Sequence, residues 1–131
     1  MKILIVEDDR QAASYLYKSI KSWGHEIEIA ESCREALIKI EEGVFHIILL
    51  DIFLPDGHGY NLIPKIKEML PDAYIISMTG ENSKELEAKV RGCGITYYLI
   101  KPFEIQYLES IISHIFQLHE TKTNIGGAYG R

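Results

Sequence analysis

Short apolar runs alternate with amphipathic stretches five times along this chain. The runs that predict β-strands lie at residues 2–6, 26–30, 45–50, 73–78 and 95–100. The first, third and fourth runs are almost continuous in Ile, Leu and Val, which is typical of parallel strands covered on both faces. Strands separated by helical stretches predict a doubly wound α/β sheet.

The stretches between and after these runs repeat their apolar residues with helical spacing. They cover residues 10–23, 32–42, 60–70, 82–91 and 104–119. Pro64 is compatible only with a first helical turn, so the third helix should start late or be bent. The fourth helix has the narrowest apolar stripe and is expected to be loosely held. Residues 120–131 lack periodicity and contain three glycines, so we predict one domain at 1–119 and a flexible tail.

Composition and charge exclude several classes of partner. The 131 residues are 47% hydrophobic and 25% charged, with a net charge of −5, and an acidic surface disfavours direct binding to DNA or RNA. No apolar run approaches the roughly 20 residues needed to span a bilayer, and the start does not resemble a signal peptide. We therefore expect a cytoplasmic protein without a membrane partner. Cys33, Cys93 and the five histidines show no spacing typical of a zinc or redox site.

Carboxylates stand directly after two of the predicted strands. Glu7 and Asp8 follow the first run, and Asp51 follows the third. If the strand order is 2-1-3-4-5, strands 1 and 3 are neighbours, and ligands sit outside their carboxyl ends. Clustered carboxylates need a cation, and Mg²⁺ prefers oxygen ligands. The other strand ends supply Thr79 and Lys101, which completes a set of groups suited to phosphoryl transfer onto an acid.

Four motifs at these strand ends resemble those of the receiver domain of two-component response regulators. They are ILIVEDD at 3–9, LLDIFLPDGHG at 49–59, SMTG at 77–80 and YLIKPF at 98–103. The motifs match in order and spacing, and the resemblance covers residues 2 to about 119. It implies a flavodoxin-like (βα)5 sandwich with a parallel sheet of order 2-1-3-4-5.

The resemblance implies a role for each member of the acidic cluster. Asp51 would accept a phosphoryl group from a sensor histidine kinase or a histidine phosphotransfer protein. Asp8 would bind Mg²⁺, or Mn²⁺, directly alongside Asp51, and Glu7 would bind it mainly through water. The backbone carbonyl of Phe53 would be a further ligand.

The resemblance also implies how phosphorylation is read out. Thr79 would hydrogen-bond one phosphoryl oxygen, and Lys101, preceding Pro102 in a cis peptide, would pair with another. Tyr98 stands at the switch position and would turn inward as Thr79 moves. This change would reshape the surface of the fourth helix, fifth strand and fifth helix (α4-β5-α5), which contacts a downstream protein or effector domain. Tyr98 could instead be a half-buried strand aromatic, with Tyr97 on the opposite face.

Residues beside the cluster have plainer interpretations. Asp9 precedes a helical stripe, so we expect an N-cap rather than a third metal ligand. Pro55 and Gly59 are expected to shape the loop after Asp51, the proline by fixing φ and the glycine by adopting positive φ. His58 in the same loop is expected to be exposed to solvent.

Two features are particular to this sequence within the resemblance. Phe53 and Glu81 occupy positions that line the pocket mouth and vary in the family. We hypothesise that Phe53 hinders the approach of hydrolytic water and so gives a long-lived phosphoaspartate. No Lys or Arg occurs between residues 104 and 119, which disfavours a dimer through the fourth and fifth helices, because such dimers commonly use basic residues there.

The leading interpretation is a phosphorylation switch that is not an enzyme with an external substrate. A phosphatase with an aspartyl-phosphate intermediate typically has a second Asp where this chain has Phe53. A flavodoxin-like cofactor binder needs a phosphate-cradling loop after the first strand, where Glu7, Asp8 and Asp9 would repel phosphate. A degenerate receiver is disfavoured because every acceptor residue is present. The cognate kinase, the target and a stand-alone or truncated state stay open.

Overall fold

Five parallel strands form the central sheet of the computed structural model, which describes residues 1–129. They are β1 (Lys2–Val6), β2 (Glu26–Ala30), β3 (Ile47–Asp51), β4 (Tyr74–Thr79) and β5 (Tyr97–Ile100). Their order is β2-β1-β3-β4-β5 and every pairing is parallel, which confirms the predicted doubly wound, flavodoxin-like sheet. Val6 pairs with Leu50 across β1 and β3, so both strands deliver the residues that follow them to the same edge.

Five helices connect and follow these strands. They are α1 (Arg10–Ser22), α2 (Cys33–Glu42), α3 (Ile63–Met69), α4 (Lys84–Gly92) and α5 (Ile105–Tyr129). Pro64 lies in the first turn of α3, which follows a 3₁₀ turn at Gly59–Leu62, so the late start of this helix is confirmed. No helix within residues 1–129 has the length and apolar character that a membrane crossing requires.

The last helix continues past its predicted end at residue 119. The segment predicted as a flexible tail is helical as far as Tyr129, and residues 130 and 131 lie outside the described residues. The predicted end was wrong because an apolar stripe marks only the turns that bury a face, whereas main-chain hydrogen bonds can extend a helix beyond them. The flexibility of this segment stays a prediction.

Two apolar layers cover the two faces of the sheet. Because side chains alternate along a strand, Leu4 and Val6 pack towards α2 and α3, while Ile3 and Ile5 pack towards α1 and α5. All five residues of β3 are buried, including the aspartate that ends it. A carboxylate at the end of this strand is therefore held by the most buried part of the fold.

Side-chain caps fix where the helices begin after the strand ends. The carboxylate of Asp9 accepts hydrogen bonds from the amides of Gln11 and Ala12, at 3.0 and 3.1 Å, as expected for an N-cap. Ser32 and Ser83 cap α2 and α4, each by accepting one amide hydrogen bond at 3.1 Å. Asp9 therefore serves α1, which confirms the N-cap interpretation.

A small hairpin follows β3, with the two-residue strands Phe53–Leu54 and Gly57–His58. Gly57 has a φ of 148°, a region that favours glycine. Gly59 does not have a positive φ, so that prediction was wrong. A Cβ at Gly59 would lie 2.0 Å from the carbonyl oxygen of Asp51. Glycine is required there by space rather than by backbone conformation.

Candidate functional site

Three carboxylates converge at the carboxyl edge of the sheet. Glu7 and Asp8 follow β1, and Asp51 ends β3. Each offers one oxygen atom such that all three atoms lie within 4.8 Å of one another. Glu7 is 1% exposed and Asp51 is 6% exposed, whereas Asp8 is open to solvent. The cluster therefore combines two buried acids with one that faces outward.

Lys101, which follows β5, lies between the two buried acids. Its Nζ donates to Asp51 Oδ2 at 2.8 Å and also to Glu7 Oε1. Burial lowers the pKa of the Lys101 ammonium, but the hydrogen bonds to Asp51 and Glu7 outweigh it, so the pKa lies above its ordinary value. The lysine is thus a fixed positive charge at the centre of the site. The Lys101–Pro102 peptide is cis.

The positive charge of one lysine does not balance three carboxylates. The pKa of Glu7 is raised to about 7, mainly by burial and also by the neighbouring Asp51, while Lys101 opposes the shift. A carboxyl group with such a pKa is partly protonated at neutral pH, which relieves the excess negative charge. A hard divalent cation would relieve it as well, and three converging carboxylate oxygens suit Mg²⁺ or Mn²⁺.

The hairpin after β3 contacts Asp51. The main-chain amide of Phe53 donates to Asp51 Oδ1 at 3.1 Å. Phe53 is 37% exposed, and its ring meets the ring of His58 edge-on, with centroids 5.5 Å apart. His58 is exposed, as expected, and stacks on Tyr60 with centroids 4.9 Å apart. Both oxygens of Asp51 therefore have a hydrogen-bond donor, one from the hairpin and one from Lys101.

Thr79 ends β4 and is fully buried. Its hydroxyl donates to the carbonyl of Glu81 and accepts from the amide of the same residue, both at 3.1 Å. Asn82, which follows Glu81, accepts a hydrogen bond of 2.7 Å from the hydroxyl of Tyr98. The guanidinium of Arg91 in α4 lies 5.5 Å from the centre of the Tyr98 ring. Two consecutive loop residues thus connect Thr79 to Tyr98, and Tyr98 is half-buried.

Sequence reasoning missed two residues that organise these surroundings. Asn82 gave no signal, because an asparagine in a polar loop has many possible partners. Asp56 precedes Gly57 in the hairpin, which is typical of a turn, but its partners are the amides of Cys33 and Arg34 at the start of α2. Contacts over such a sequence separation leave no local pattern.

A family model and two curated relatives match this chain. The model for the response regulator receiver domain matches residues 3–113. The DNA-binding transcriptional regulator NtrC of Azospirillum brasilense is 32% identical over 110 residues, which are 84% of this chain and 23% of that protein. The transcriptional regulatory protein ZraR of Escherichia coli K12 is 30% identical over 110 residues, which are 84% of this chain and 25% of that protein. The chain spans about a quarter of the length of these relatives.

Solved structures with a similar fold include three response regulators. A two-component response regulator from Clostridium difficile superposes with a TM-score of 0.86 and 31% identity, covering 89% of this chain and 96% of that chain. The beryllofluoride-activated NtrC4 receiver domain dimer superposes with a TM-score of 0.83 and 35% identity, covering 88% of this chain and 96% of that chain. The third is a response regulator from Burkholderia pseudomallei with a phosphorylated aspartic acid, calcium ion and citrate. It superposes with a TM-score of 0.79 and 25% identity, covering 92% of this chain and 72% of that chain.

Proposed function

This chain belongs to the response regulator receiver domain family, and from that membership we propose that it is a signalling switch phosphorylated on Asp51. The observation that carries the proposal is the surroundings of Asp51. Its carboxylate ends a buried strand, contacts Lys101 and the Phe53 amide, and lies beside two further acids. Receivers are signalling switches, and here the only proposed substrate is the chain's own aspartate.

The chemical step is transfer of a phosphoryl group between two side chains. An oxygen of the Asp51 carboxylate forms the new O–P bond while the P–N bond to a phosphorylated histidine of a kinase or phosphotransfer protein breaks. The departing imidazole takes up a proton, and the phosphoryl group becomes an acyl phosphate. Lys101, which contacts Asp51 in this structure, would then pair with a phosphoryl oxygen and offset its charge.

A divalent cation would complete the positive charge of the site. Its direct ligands would be oxygens of Asp8 and Asp51 together with the carbonyl of Phe53, and Glu7 would bind it mainly through water, a donor set that fits Mg²⁺ or Mn²⁺. When bound, the cation supplies charge that the single lysine lacks, both to the carboxylates and to the incoming phosphoryl oxygens. The solved relative from Burkholderia pseudomallei, with a phosphorylated aspartic acid and calcium ion, supports this assignment.

The readout would run from Thr79 to Tyr98 through the loop between them. A phosphoryl oxygen on Asp51 competes for the Thr79 hydroxyl, which now bonds to the backbone of Glu81. Releasing Glu81 frees its neighbour Asn82, which holds the Tyr98 hydroxyl. Tyr98 would then turn inward, and the surface of α4, β5 and α5 would change.

Partners of the switch would be a sensor histidine kinase or phosphotransfer protein, and a downstream protein or effector domain. The second would dock on the α4-β5-α5 surface, where Ile100 is 49% exposed and Tyr107 is 55% exposed. The net charge of −5 disfavours direct contact with DNA or RNA. A histidine kinase partner is also consistent with the predicted cytoplasmic location.

Acetyl phosphate tests the phosphoacceptor directly. Incubation of the full chain with acetyl phosphate and Mg²⁺ should add the mass of one phosphoryl group, and Asp51→Asn should abolish the gain. Asp72→Asn is a matched control, because Asp72 is an exposed acid outside the cluster, and it should keep the gain. A mass gain that persists in Asp51→Asn would exclude Asp51 as the acceptor.

A further inference from the structure

The tip of the hairpin after β3 is bound to the start of α2. Asp56 Oδ1 accepts from the amide of Cys33 at 2.9 Å, and Asp56 Oδ2 accepts from the amide of Arg34 at 3.0 Å. These are two of the amides that a helix start leaves without internal partners. The N-cap Ser32 engages a third amide, that of Glu35, at 3.1 Å. The first turn of α2 is therefore capped by its own serine and by a carboxylate from a distant loop.

The base of the same hairpin rests on Asp51. Phe53 donates its amide to Asp51 Oδ1, and the amide of Gly59 donates to the carbonyl of Ile52 at 2.6 Å. Each strand of the hairpin has only two residues, and an isolated two-stranded hairpin is marginally stable even when longer. Its position therefore depends on attachments outside itself, and Asp56 supplies the attachment at the tip.

We propose that Asp56 is a positioning residue that holds the hairpin, and with it the main chain of Phe53, at the mouth of the Asp51 pocket. This inference rests on the proposed function, in which the Phe53 carbonyl is a cation ligand, and on the hypothesis that the Phe53 ring limits access of water. Groups that orient a ligand without touching the cation typically change its affinity. Asp56 thereby sets both the cation affinity and the lifetime of the phosphorylated state.

The chemistry of the contact requires a carboxylate. The amides of Cys33 and Arg34 hold the pKa of Asp56 below its ordinary value, so the group stays ionised at neutral pH, and negative charge is favourable at a helix start. Asn offers one acceptor oxygen and Ala offers none. The strength of the attachment should therefore decrease in the order Asp, Asn, Ala.

Calorimetric titration of the full chain with Mg²⁺ tests the inference. Asp56→Ala should weaken Mg²⁺ binding by roughly threefold to tenfold, at or below the losses typical of outer-shell groups, and Asp56→Asn should lie between it and the wild type. Ser32→Ala is the matched control, because it removes a cap from the same helical turn without contacting the hairpin. It should leave Mg²⁺ affinity within about twofold of the wild type.

Amide hydrogen exchange gives a second readout that does not depend on the cation. The Phe53 and Gly59 amides should exchange faster in Asp56→Ala and Asp56→Asn than in Ser32→Ala. If the wild type binds Mg²⁺ and is phosphorylated but the Asp56 variants match Ser32→Ala in affinity and exchange, the positioning role is overturned and the proposed function stands. If the wild type neither binds Mg²⁺ nor gains a phosphoryl group, the proposed function itself is overturned. Asp56→Asn decides the outcome if Asp56→Ala does not fold.

Discussion

Gly59→Ala should destabilise the fold, because the added methyl group has no space. The new Cβ would lie 2.0 Å from the carbonyl oxygen of Asp51, 3.0 Å from its carbonyl carbon and 3.2 Å from Cδ1 of Leu50. The first distance is more than an ångström below an ordinary contact of about 3.5 Å. The two nearest atoms belong to the main chain of β3, and every residue of that strand is buried, so the hairpin rather than the strand must move.

The size of the effect follows from three contributions. Overpacking costs about 1–3 kcal/mol, and displacing Gly59 weakens its 2.6 Å hydrogen bond to Ile52, which is worth about 1 kcal/mol. The smaller entropy of the unfolded alanine variant offsets roughly 0.4–1 kcal/mol. The net loss in the free energy of unfolding is about 1–3 kcal/mol, which lowers Tm by roughly 3–12 °C for a domain of this length.

Thermal unfolding followed by circular dichroism measures this loss, with Gly92→Ala as the matched control. Gly92 lies in α4, and a Cβ there would meet no atom within 4 Å beyond its chain neighbours and the backbone of its own helix. The same chemical change should therefore stabilise α4, by up to about 1 kcal/mol. Equal Tm values for Gly59→Ala and the wild type would show that the close approach to Asp51 does not constrain residue 59. Phosphorylation by acetyl phosphate should also slow in Gly59→Ala, because the hairpin that contacts Asp51 has moved.

Two further predictions concern the chemistry of the site. Phe53→Asn should shorten the lifetime of the phosphoaspartate, which is measured as the decay of the phosphorylated mass. His58→Asn, on the facing hairpin strand, should change this lifetime less. An unchanged decay in Phe53→Asn would contradict the shielding role of the ring. Mg²⁺ affinity should rise as the pH is raised through about 7, because burial raises the pKa of Glu7 to that value and binding requires its carboxylate form. Without the cation, the free energy of unfolding should change with pH in the opposite direction. The unfolded state loses the Glu7 proton near the ordinary pKa of 4.5, whereas the folded state keeps it to a higher pH. The free energy of unfolding therefore falls as the pH rises towards 7. Glu7→Gln should flatten both profiles, and a Mg²⁺ affinity equal above and below pH 7 in the wild type would refute the assignment.

The sheet could be predicted from sequence because its signal is local. The run Ile47–Leu50 is apolar on both faces, which only a doubly covered strand satisfies, and Asp51 follows it directly. The same reasoning placed Glu7 and Asp8 at the end of β1. Once strands β1 and β3 are neighbours, the meeting of these acids requires no further information.

Features that depend on contacts between distant segments could not be predicted. Gly59 was interpreted by its backbone freedom, but the structure shows that the carbonyl of Asp51 excludes a side chain there. The sequence indicates only a turn residue at Asp56. The contact of Asp56 with the start of α2 forms only in the folded chain. The rotamers of Thr79 and Tyr98 depend on which loop residue hydrogen-bonds to each hydroxyl. The amino-acid sequence alone does not specify these partners.

The proposal of Asp51 as the phosphoacceptor, among three clustered acids, rests on burial and charge. Glu7 is 1% exposed and has a pKa raised to about 7, so it is partly neutral and a weak nucleophile at neutral pH. Asp8 is exposed, and within residues 1–129 no Lys or Arg side chain pairs with it. Asp51 is less completely buried than Glu7, at 6% exposed, and has a lysine at 2.8 Å that could follow the charge onto a phosphoryl group. Lys101 also bonds to Glu7, so movement of the ammonium towards a phosphoryl group on Asp51 would leave Glu7 with less positive charge beside it. A cation bound by the same acids would then be favoured more strongly after phosphorylation than before it.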